Sequence, residues 1–258
     1  MITTEQDGGV TTIWLDRPDR RNALTPGMLT EIVSAAREAS DRGDAVILAG
    51  RGNAFCAGFD LSLCQASPDG AAMRLLLSAL SDACLALRTI DRPVVVAAHG
   101  AAIAGGCALL GGADTVVADR RAVLGYPVAR LGVSPAVSVP FLRQSVTDGR
   151  ARASTLLPDT FTGEDACRMG LVHVLVDSAD DVYGEAVHQA RLLAGKPTHA
   201  FAATKRWLNS IEGVERRGDA GSGLEASLAL TGGEEERVRI SALDIGRTST
   251  SRKDRTHD

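Results

Sequence analysis

The sequence predicts an α/β fold whose final quarter is helical. Three observations carry this expectation. Short apolar, β-branched runs such as those in "DAVILAG" (44–50) and "PVVVAAH" (93–99) read as buried strands. Between such runs lie long stretches with apolar residues at helical spacing. From about residue 181 onward no strand-like run occurs.

"GGVTTIWLDRP" (8–18) alternates and ends at Arg17-Pro18, so it reads as a strand. In "TPGMLTEIVSAAREASDRG" (25–43) Thr25 can cap, Pro26 suits the first helical position, and apolar residues recur to Ala39. "DAVILAG" is a short buried strand. "RGNAFCAGFDLSL" (51–63) is a glycine-containing loop leading into a possible helix. "GAAMRLLLSALSDACLALRTIDRP" (70–93) is a long helix, apolar enough to be largely buried. The strand at 94–98 follows, then a loop "GAAIAGG" (100–106) and a short buried helix opening in "GCALLGGAD" (106–114). "DTVVADRRAVLGYP" (114–127) gives two short strands. "DGRARASTLLPD" (148–159) and "TGEDACRMGLV" (162–172) are helices, the second capped at Thr162 with Asp165 three residues on. "VHVLVD" (172–177) is a strand. Helices fill 181–245, broken at "GKPTHA" (195–200) and "RRGDAGSG" (216–223), and the polar end from Gly246 is expected to fray. Strand-strand-helix units recur through 10–130.

Composition narrows the function classes. Of 258 residues, 45% are hydrophobic and 23% charged, which is ordinary for a soluble globular protein. A net charge of −4 gives no nucleic-acid footprint, and 3% aromatic residues leave few surfaces for base stacking. Cys56, Cys64, Cys84, Cys107 and Cys167 are odd in number and show neither a CxxC pair nor zinc spacing, so reduced thiols and no metal are expected. No basic start followed by an apolar run opens the chain, which points to the cytoplasm. From Val94 to Ala113 the only polar side chain is His99, and about 20 such residues can cross a bilayer. Five glycines and many alanines make this stretch too weakly hydrophobic for that, and no Trp or Tyr flanks it. No membrane association is expected. A nucleotide-binding reading fails because neither GxGxxG nor GxxxxGK[ST] is present.

Two glycine turns stand out, "RGNAFCAGFDL" (51–61) and "HGAAIAGGCALL" (99–110). Each follows a predicted strand and precedes a predicted helix. Glycine there lets backbone N–H groups point outward unblocked. Two such groups from separate loops can hold one carbonyl oxygen as it gains negative charge.

With "LDRPDRRNAL" (15–24), "RPVVVAAHGAAIAGGC" (92–107) and "TGEDACRMGLVHVLV" (162–176), the chain resembles the crotonase superfamily, the enoyl-CoA hydratase/isomerase family, over most of its length. The resemblance implies a spiral of repeated β-β-α units in a core at 1–195 that binds acyl-CoA. It implies a C-terminal helical trimerisation region at 196–258, hence a homotrimer or homohexamer. It implies an oxyanion hole built from the N–H groups of Phe59 and Gly105. Arg21, Ala23, Ala57, Asp60, Leu61 and Gly106 would line the substrate pocket, and Lys205 would lie near the CoA phosphates. No cofactor is implied beyond CoA as part of the substrate.

The departures from the family pattern are specific. Family hydratases place glutamates where this chain has Ala108 and Val128, and related enzymes place a carboxylate where it has Ala136. Adding water needs a base and an acid, each worth roughly 10²- to 10⁴-fold. Alanine and valine supply neither, although both positions would still border substrate. Possible replacements are Asp60, His99, Tyr126, Ser134, Ser138, Cys56 and Cys107, and each has a simpler structural reading. The arginine-rich pieces at 17–21 and 214–219 read as solvated faces, the first better placed to meet CoA phosphates. Acyl-CoA chemistry other than hydration is therefore expected: isomerisation, decarboxylation or a thioester reaction. Its alternatives are a non-catalytic acyl-CoA binder and a hydratase that uses other residues. Polarity inside the acyl pocket discriminates between an enzyme and a binder.

Overall fold

The computed structural model describes residues 1–157, 159–213 and 217–243, the side chains of 217–219 excepted. The chain opens with a hairpin of β1 (Ile2–Asp7) and β2 (Val10–Leu15), turned by Gly8 and Gly9, both at positive φ. β1 is not among the strands expected from the sequence. It is a largely exposed edge strand, so its polar residues carry no burial pattern. The two glycines between β1 and β2 were the readable signal.

The chain then winds between two rows of strands. The main sheet has the order β1-β2-β3-β4-β6-β9, with β3 (Ala45–Gly50), β4 (Val94–Ala98), β6 (Thr115–Asp119) and β9 (Val174–Val176) parallel to β2. A second, shorter row holds β5 (Ala101–Ile103), β7 (Val123–Gly125) and β8 (Thr160–Thr162). Single bridges Leu24–Phe59 and Cys56–Ala102 continue the second row toward the first turns. Successive turns thus visit the main sheet, the second row and then a helix. This is the spiral of β-β-α units the sequence implied. The segment 101–103, read as loop, is a strand of the second row.

The main sheet is buried on both faces, which is why its parallel strands read as continuous apolar runs. Ile47, Ala49, Val95, Ala97 and Val117 face α8 (Asp181–Ala194) through Val182, Ala186 and Ala190. Val46, Leu48, Val94, Val96 and Val116 face the main core, which includes residues of α1 (Pro26–Arg42) and α3 (Ala71–Thr89). Thr25 caps α1 through the Met28 N–H as expected, and the helix runs past Ala39 to a left-handed Gly43. Thr162 and Asp165 form a capping box at α7 (Gly163–Met169).

α2 (Leu61–Gln65) and α4 (Gly105–Leu109) are single short turns, and α5 (Val139–Ser145) and α6 (Asp148–Leu156) lie between β7 and β8 of the second row. The C-terminal part holds α9 (Thr198–Ile211), α10 (Arg217–Leu228) and α11 (Glu234–Ser241). The break expected at 216–223 falls mostly inside α10. One of its glycines serves packing: a Cβ on Gly223 would lie 2.6 Å from the Ala136 carbonyl oxygen. The polar end expected to fray from Gly246 lies outside the described residues. Among the described residues no helix is long and apolar enough to cross a membrane.

His173, just before β9, accepts the Val116 N–H through Nδ1 at 2.9 Å. Burial, reinforced by the charge of Arg88 and opposed by Asp114, holds its pKa below the ordinary 6.5. The unfolded chain takes up this proton at higher pH than the folded one. The stabilisation is therefore complete above about pH 6.5 and is lost as pH falls toward the folded-state value, with a slope of at most about 1.4 kcal/mol per pH unit. Urea midpoints measured from pH 7.5 to 5.5 should fall, and His173→Asn, which keeps an acceptor for Val116, should flatten that dependence.

Candidate active site

Three loops meet beside α4. The strap 17–24 leaves β2, the loop 51–60 leaves β3, and residues 103–105 join β5 to α4. Asn22 locks the first two together. Its side-chain amide donates to the carbonyls of Arg51 and Ala54, both at 2.9 Å, and its Oδ1 accepts the Arg17 N–H at 2.9 Å. Arg21 and Asn22 both adopt left-handed backbone, with φ of 50° and 57°. That turn presents the Arg21 carbonyl to the Ala57 N–H at 2.9 Å. Arg17 then closes the strap, reaching the Ala23 carbonyl and the Asp60 carboxylate at 2.7 and 2.9 Å.

From Phe55 to Asp60 the backbone donors of the middle loop can be accounted for one by one. Phe55 and Cys56 donate to the carbonyls of His99 and Ala101, Ala57 to Arg21, and Asp60 to Leu24. Gly58 donates to the Cys56 sulfur at 3.4 Å. Phe59 is the exception: its N–H has no acceptor among the described residues. The third loop repeats this. Ile103 and Ala104 donate to Cys56 and Gly125, and Gly105, which opens α4, has no acceptor among the described residues. Ala104 is held at φ 52°, ψ −112°, a strained conformation for a residue with a Cβ, costing roughly 1–3 kcal/mol. The bond to Gly125 and the Leu24–Phe59 and Cys56–Ala102 bridges hold it there.

Phe59 and Gly105 both line one cavity of about 70 Å³. Ala57, Phe59 and Leu61 form one wall and Ala104 and Gly105 a second. Met73, Leu77 and Leu80 of α3 form a third. Tyr126, Val128 and the stretch from Val133 to Ser138, apart from Ala136, close the fourth. Among the described residues no carboxylate, imidazole or amine lines the cavity; its polar side chains are the hydroxyls of Tyr126, Ser134 and Ser138.

The sequence candidates for an acid or base are held in different ways. Tyr126 is buried and donates to the Cys107 carbonyl at 3.4 Å. Burial first, then the neighbouring Cys107 and Cys84, raises its pKa well above the ordinary 10, so the phenol stays neutral. Burial pushes the thiols of Cys56 and Cys107 up to about 12, so neither is a thiolate nucleophile at neutral pH. Burial also raises the Asp60 pKa, but the hydrogen bonds from Ser62 and Arg17 outweigh it and hold the carboxyl below its ordinary value. Asp60 is thus an ionised cap on α2, outside the cavity lining. His99 ends β4 and contacts the Gly52 carbonyl through Nε2 at 3.0 Å.

The expected pocket residues divide. Phe59, Gly105, Ala57, Leu61 and Val128 line the cavity, as do Tyr126, Ser134 and Ser138. Ala108, 2% exposed on α4, does not reach it, and Gly106 is packed against Cys56, where a Cβ would lie 2.6 Å from the carbonyl oxygen. Arg21 and Ala23 lie on the strap outside the lining, as does Ala136 on the far wall. Lys205 corrects the expectation most sharply. It is buried on α9, its ammonium 2.7 Å from Asp114 and 3.0 Å from the Arg92 carbonyl. An amphipathic helix can turn a lysine inward when a carboxylate waits for it, and residue type alone does not reveal that. The solvated reading of 17–21 fails at Arg17, which is committed to Asp60; residues 214–216 and the side chains of 217–219 lie outside the described set. The sequence reading placed Arg17 and Asn22 only within stretches expected near the substrate and missed their part in tying the loops together. The signal was there: an asparagine in a short turn is among the few side chains that tolerate left-handed backbone.

Residues 5–241 match the family model described as enoyl-CoA hydratase/isomerase. A protein of Rhodobacter capsulatus named probable enoyl-CoA hydratase is 34% identical over 211 residues, covering 80% of this chain and 79% of its own. The 1,2-epoxyphenylacetyl-CoA isomerase of Escherichia coli is 31% identical, covering 82% of each. Among solved structures, an enoyl-CoA hydratase/isomerase from Xanthobacter autotrophicus Py2 superimposes with a TM-score of 0.84 at 32% identity, covering 93% of this chain and 91% of that one.

Proposed function

The chain belongs to the enoyl-CoA hydratase/isomerase family of the crotonase superfamily, and from this premise we propose that it binds an acyl-CoA thioester and performs chemistry other than hydration. The thioester carbonyl oxygen sits between the N–H groups of Phe59 and Gly105. The acyl chain runs into the cavity against Met73, Leu77, Leu80 and Val128. CoA enters as part of the substrate and no separate cofactor takes part. Isomerisation, decarboxylation and thioester reactions all send electrons into that carbonyl, where two fixed donors stabilise the developing charge.

One observation carries the reading: among the described residues the N–H groups of Phe59 and Gly105, from separate loops, lack a protein acceptor, and both residues line a cavity with no described carboxylate in its lining. The same lack of a carboxylate, imidazole or amine in the described lining favours a second reading, an acyl-CoA binder without turnover. A panel of acyl-CoA esters followed by mass spectrometry for both binding and conversion separates the two. As the assembly we propose a homotrimer or a pair of trimers, in the cytoplasm. Trp207 and Ile211, 66% and 61% exposed on α9, support a partner surface there.

Gly105→Pro removes one donor, and Gly105→Ala keeps it while adding the same Cβ, 2.9 Å from the Phe59 ring. A neutral hydrogen bond is worth about 0.5–1.5 kcal/mol net, so the proline variant should bind an acyl-CoA roughly 2- to 12-fold more weakly than the alanine variant. Free CoA should bind both alike. Calorimetric titration checks this, and equal acyl-CoA affinity of the two variants would count against the oxyanion assignment.

A further inference from the structure

Ser138 has no structural task that accounts for its hydroxyl. It precedes α5 at the position where a serine ordinarily caps, but its side chain makes no capping bond there. The reason is conformational. A 3₁₀ turn (Pro135–Ser138) runs straight into α5, and Ser138 has φ −91°, ψ −20°, a helical rather than a capping backbone. The residue is buried, 5% exposed, and its hydroxyl has no hydrogen-bond partner among the described residues. Yet Ser138 lines the same cavity as Phe59 and Gly105. Its neighbour on the same turn differs: the Ser134 oxygen already accepts the Ala136 N–H at 3.2 Å.

The turn that carries Ser138 is itself fixed. Ser227 of α10, 1% exposed, accepts the Val137 N–H at 2.9 Å and donates to the Ser134 carbonyl at 3.0 Å. Val137, beside Ser138, is therefore held at its backbone from the far side. A cavity wall of Met73, Leu77, Leu80, Val128 and Val137 prefers hydrocarbon, and a buried hydroxyl in such a wall favours a substrate that offers it an oxygen.

Resting on the acyl-CoA reading above, we propose that Ser138 is a specificity-determining residue whose hydroxyl hydrogen-bonds a hydroxyl or oxo oxygen on the acyl chain, so that the substrate class is acyl-CoA esters bearing such an oxygen. The residue positions substrate and takes no part in bond making. Side chains of Tyr126 and Ser134 share the cavity: the Tyr126 hydroxyl already donates to the Cys107 carbonyl, and the Ser134 oxygen accepts the Ala136 N–H as the cap of the turn while keeping its own proton, so the Ser138→Ala comparison below assigns the preference to one hydroxyl or the other.

The test compares 3-hydroxybutyryl-CoA and acetoacetyl-CoA with butyryl-CoA, all of four acyl carbons, by calorimetric titration of the wild type and of Ser138→Ala. The wild type should bind at least one oxygenated ester about 3- to 10-fold more tightly than butyryl-CoA, the worth of one net hydrogen bond. Ser138→Ala should abolish that preference, bind butyryl-CoA within about twofold of wild type, and keep the wild-type melting temperature. Three results overturn the proposal: a wild type with no preference, a Ser138→Ala protein that keeps it, or a variant that loses butyryl-CoA as well. Only if no CoA ester binds the wild type does the acyl-CoA reading fall too.

Discussion

Purified protein is expected to hydrate crotonyl-CoA about 10²- to 10⁴-fold more slowly than a family hydratase carrying both glutamates, because a missing acid or base group is worth roughly 10² to 10⁴. The two losses need not multiply, since groups that act as a unit are not additive, and the range is that of one loss rather than of their product. Val128 lines the cavity and Ala108 is buried behind it, so the two glutamate positions are apolar for different reasons. Tyr126 is a neutral phenol, Asp60 is bound to Arg17 and Ser62, and the two loop thiols are protonated. On the proposed reading what remains is electrostatic stabilisation by the N–H groups of Phe59 and Gly105; removal of one such donor costs about 2.7–4 kcal/mol in a well-studied hydrolase. Loss of enoyl absorbance against time measures the reaction. Val128→Glu should fold well, because the side chain opens on the cavity. Ala108→Glu should be markedly less stable, because it buries a carboxyl beside the core thiol of Cys84, which donates to the Ala108 carbonyl. Rapid conversion of crotonyl-CoA by the wild type would show that a group outside the cavity lining performs the proton transfers.

Local chemistry made much of this architecture legible. Val94–Ala98 and Ala45–Gly50 announce buried parallel strands because both faces of the sheet are covered, and Thr25, Pro26, Thr162 and Asp165 announce helix starts because they satisfy orphan N–H groups. The glycine loops were legible as places where backbone donors could be free. Features that depend on a distant partner were not. Lys205 is inward only because Asp114 lies 91 residues earlier in the chain and meets it across the fold. Gly223 lies within a helix because Ala136 needs the space. β1 is a strand because β2 offers it an edge, not because its own residues alternate in burial. The same holds at the site. That Phe59 and Gly105 share a cavity follows from the spiral, and that Ser138 joins them follows from the grip of Ser227 on its turn.

Replacing Asn22 with leucine should destabilise the protein by about 3 kcal/mol or more and abolish acyl-CoA binding together with it. The size follows from what is left behind. Asn22 is fully buried, and its side chain satisfies the Arg51 and Ala54 carbonyls and the Arg17 N–H. Each buried polar group left unpaired costs about 1–3 kcal/mol. Leucine adds strain at φ 57°, a conformation that asparagine tolerates better than most residues. At about 2–4 °C of melting temperature per kcal/mol, the loss is some 6 °C at least. Asn22→Asp separates this lock from simple packing. Its shape is unchanged, but an ionised carboxylate would face two carbonyl oxygens in a buried site, which raises the folded-state pKa above the unfolded value of about 3.9. Between those two values the folded chain holds the extra proton, so stability falls as pH rises through that interval. The aspartate variant should therefore recover toward wild type as pH is lowered from 7 to 5, while the leucine deficit stays constant relative to wild type over the same range. Urea denaturation of the three proteins at the two pH values measures both effects. A leucine variant within about 1 kcal/mol of wild type, or one that still binds acyl-CoA normally, would mean that the loop bearing the Phe59 donor is held by the Leu24 and Cys56 bridges without the asparagine.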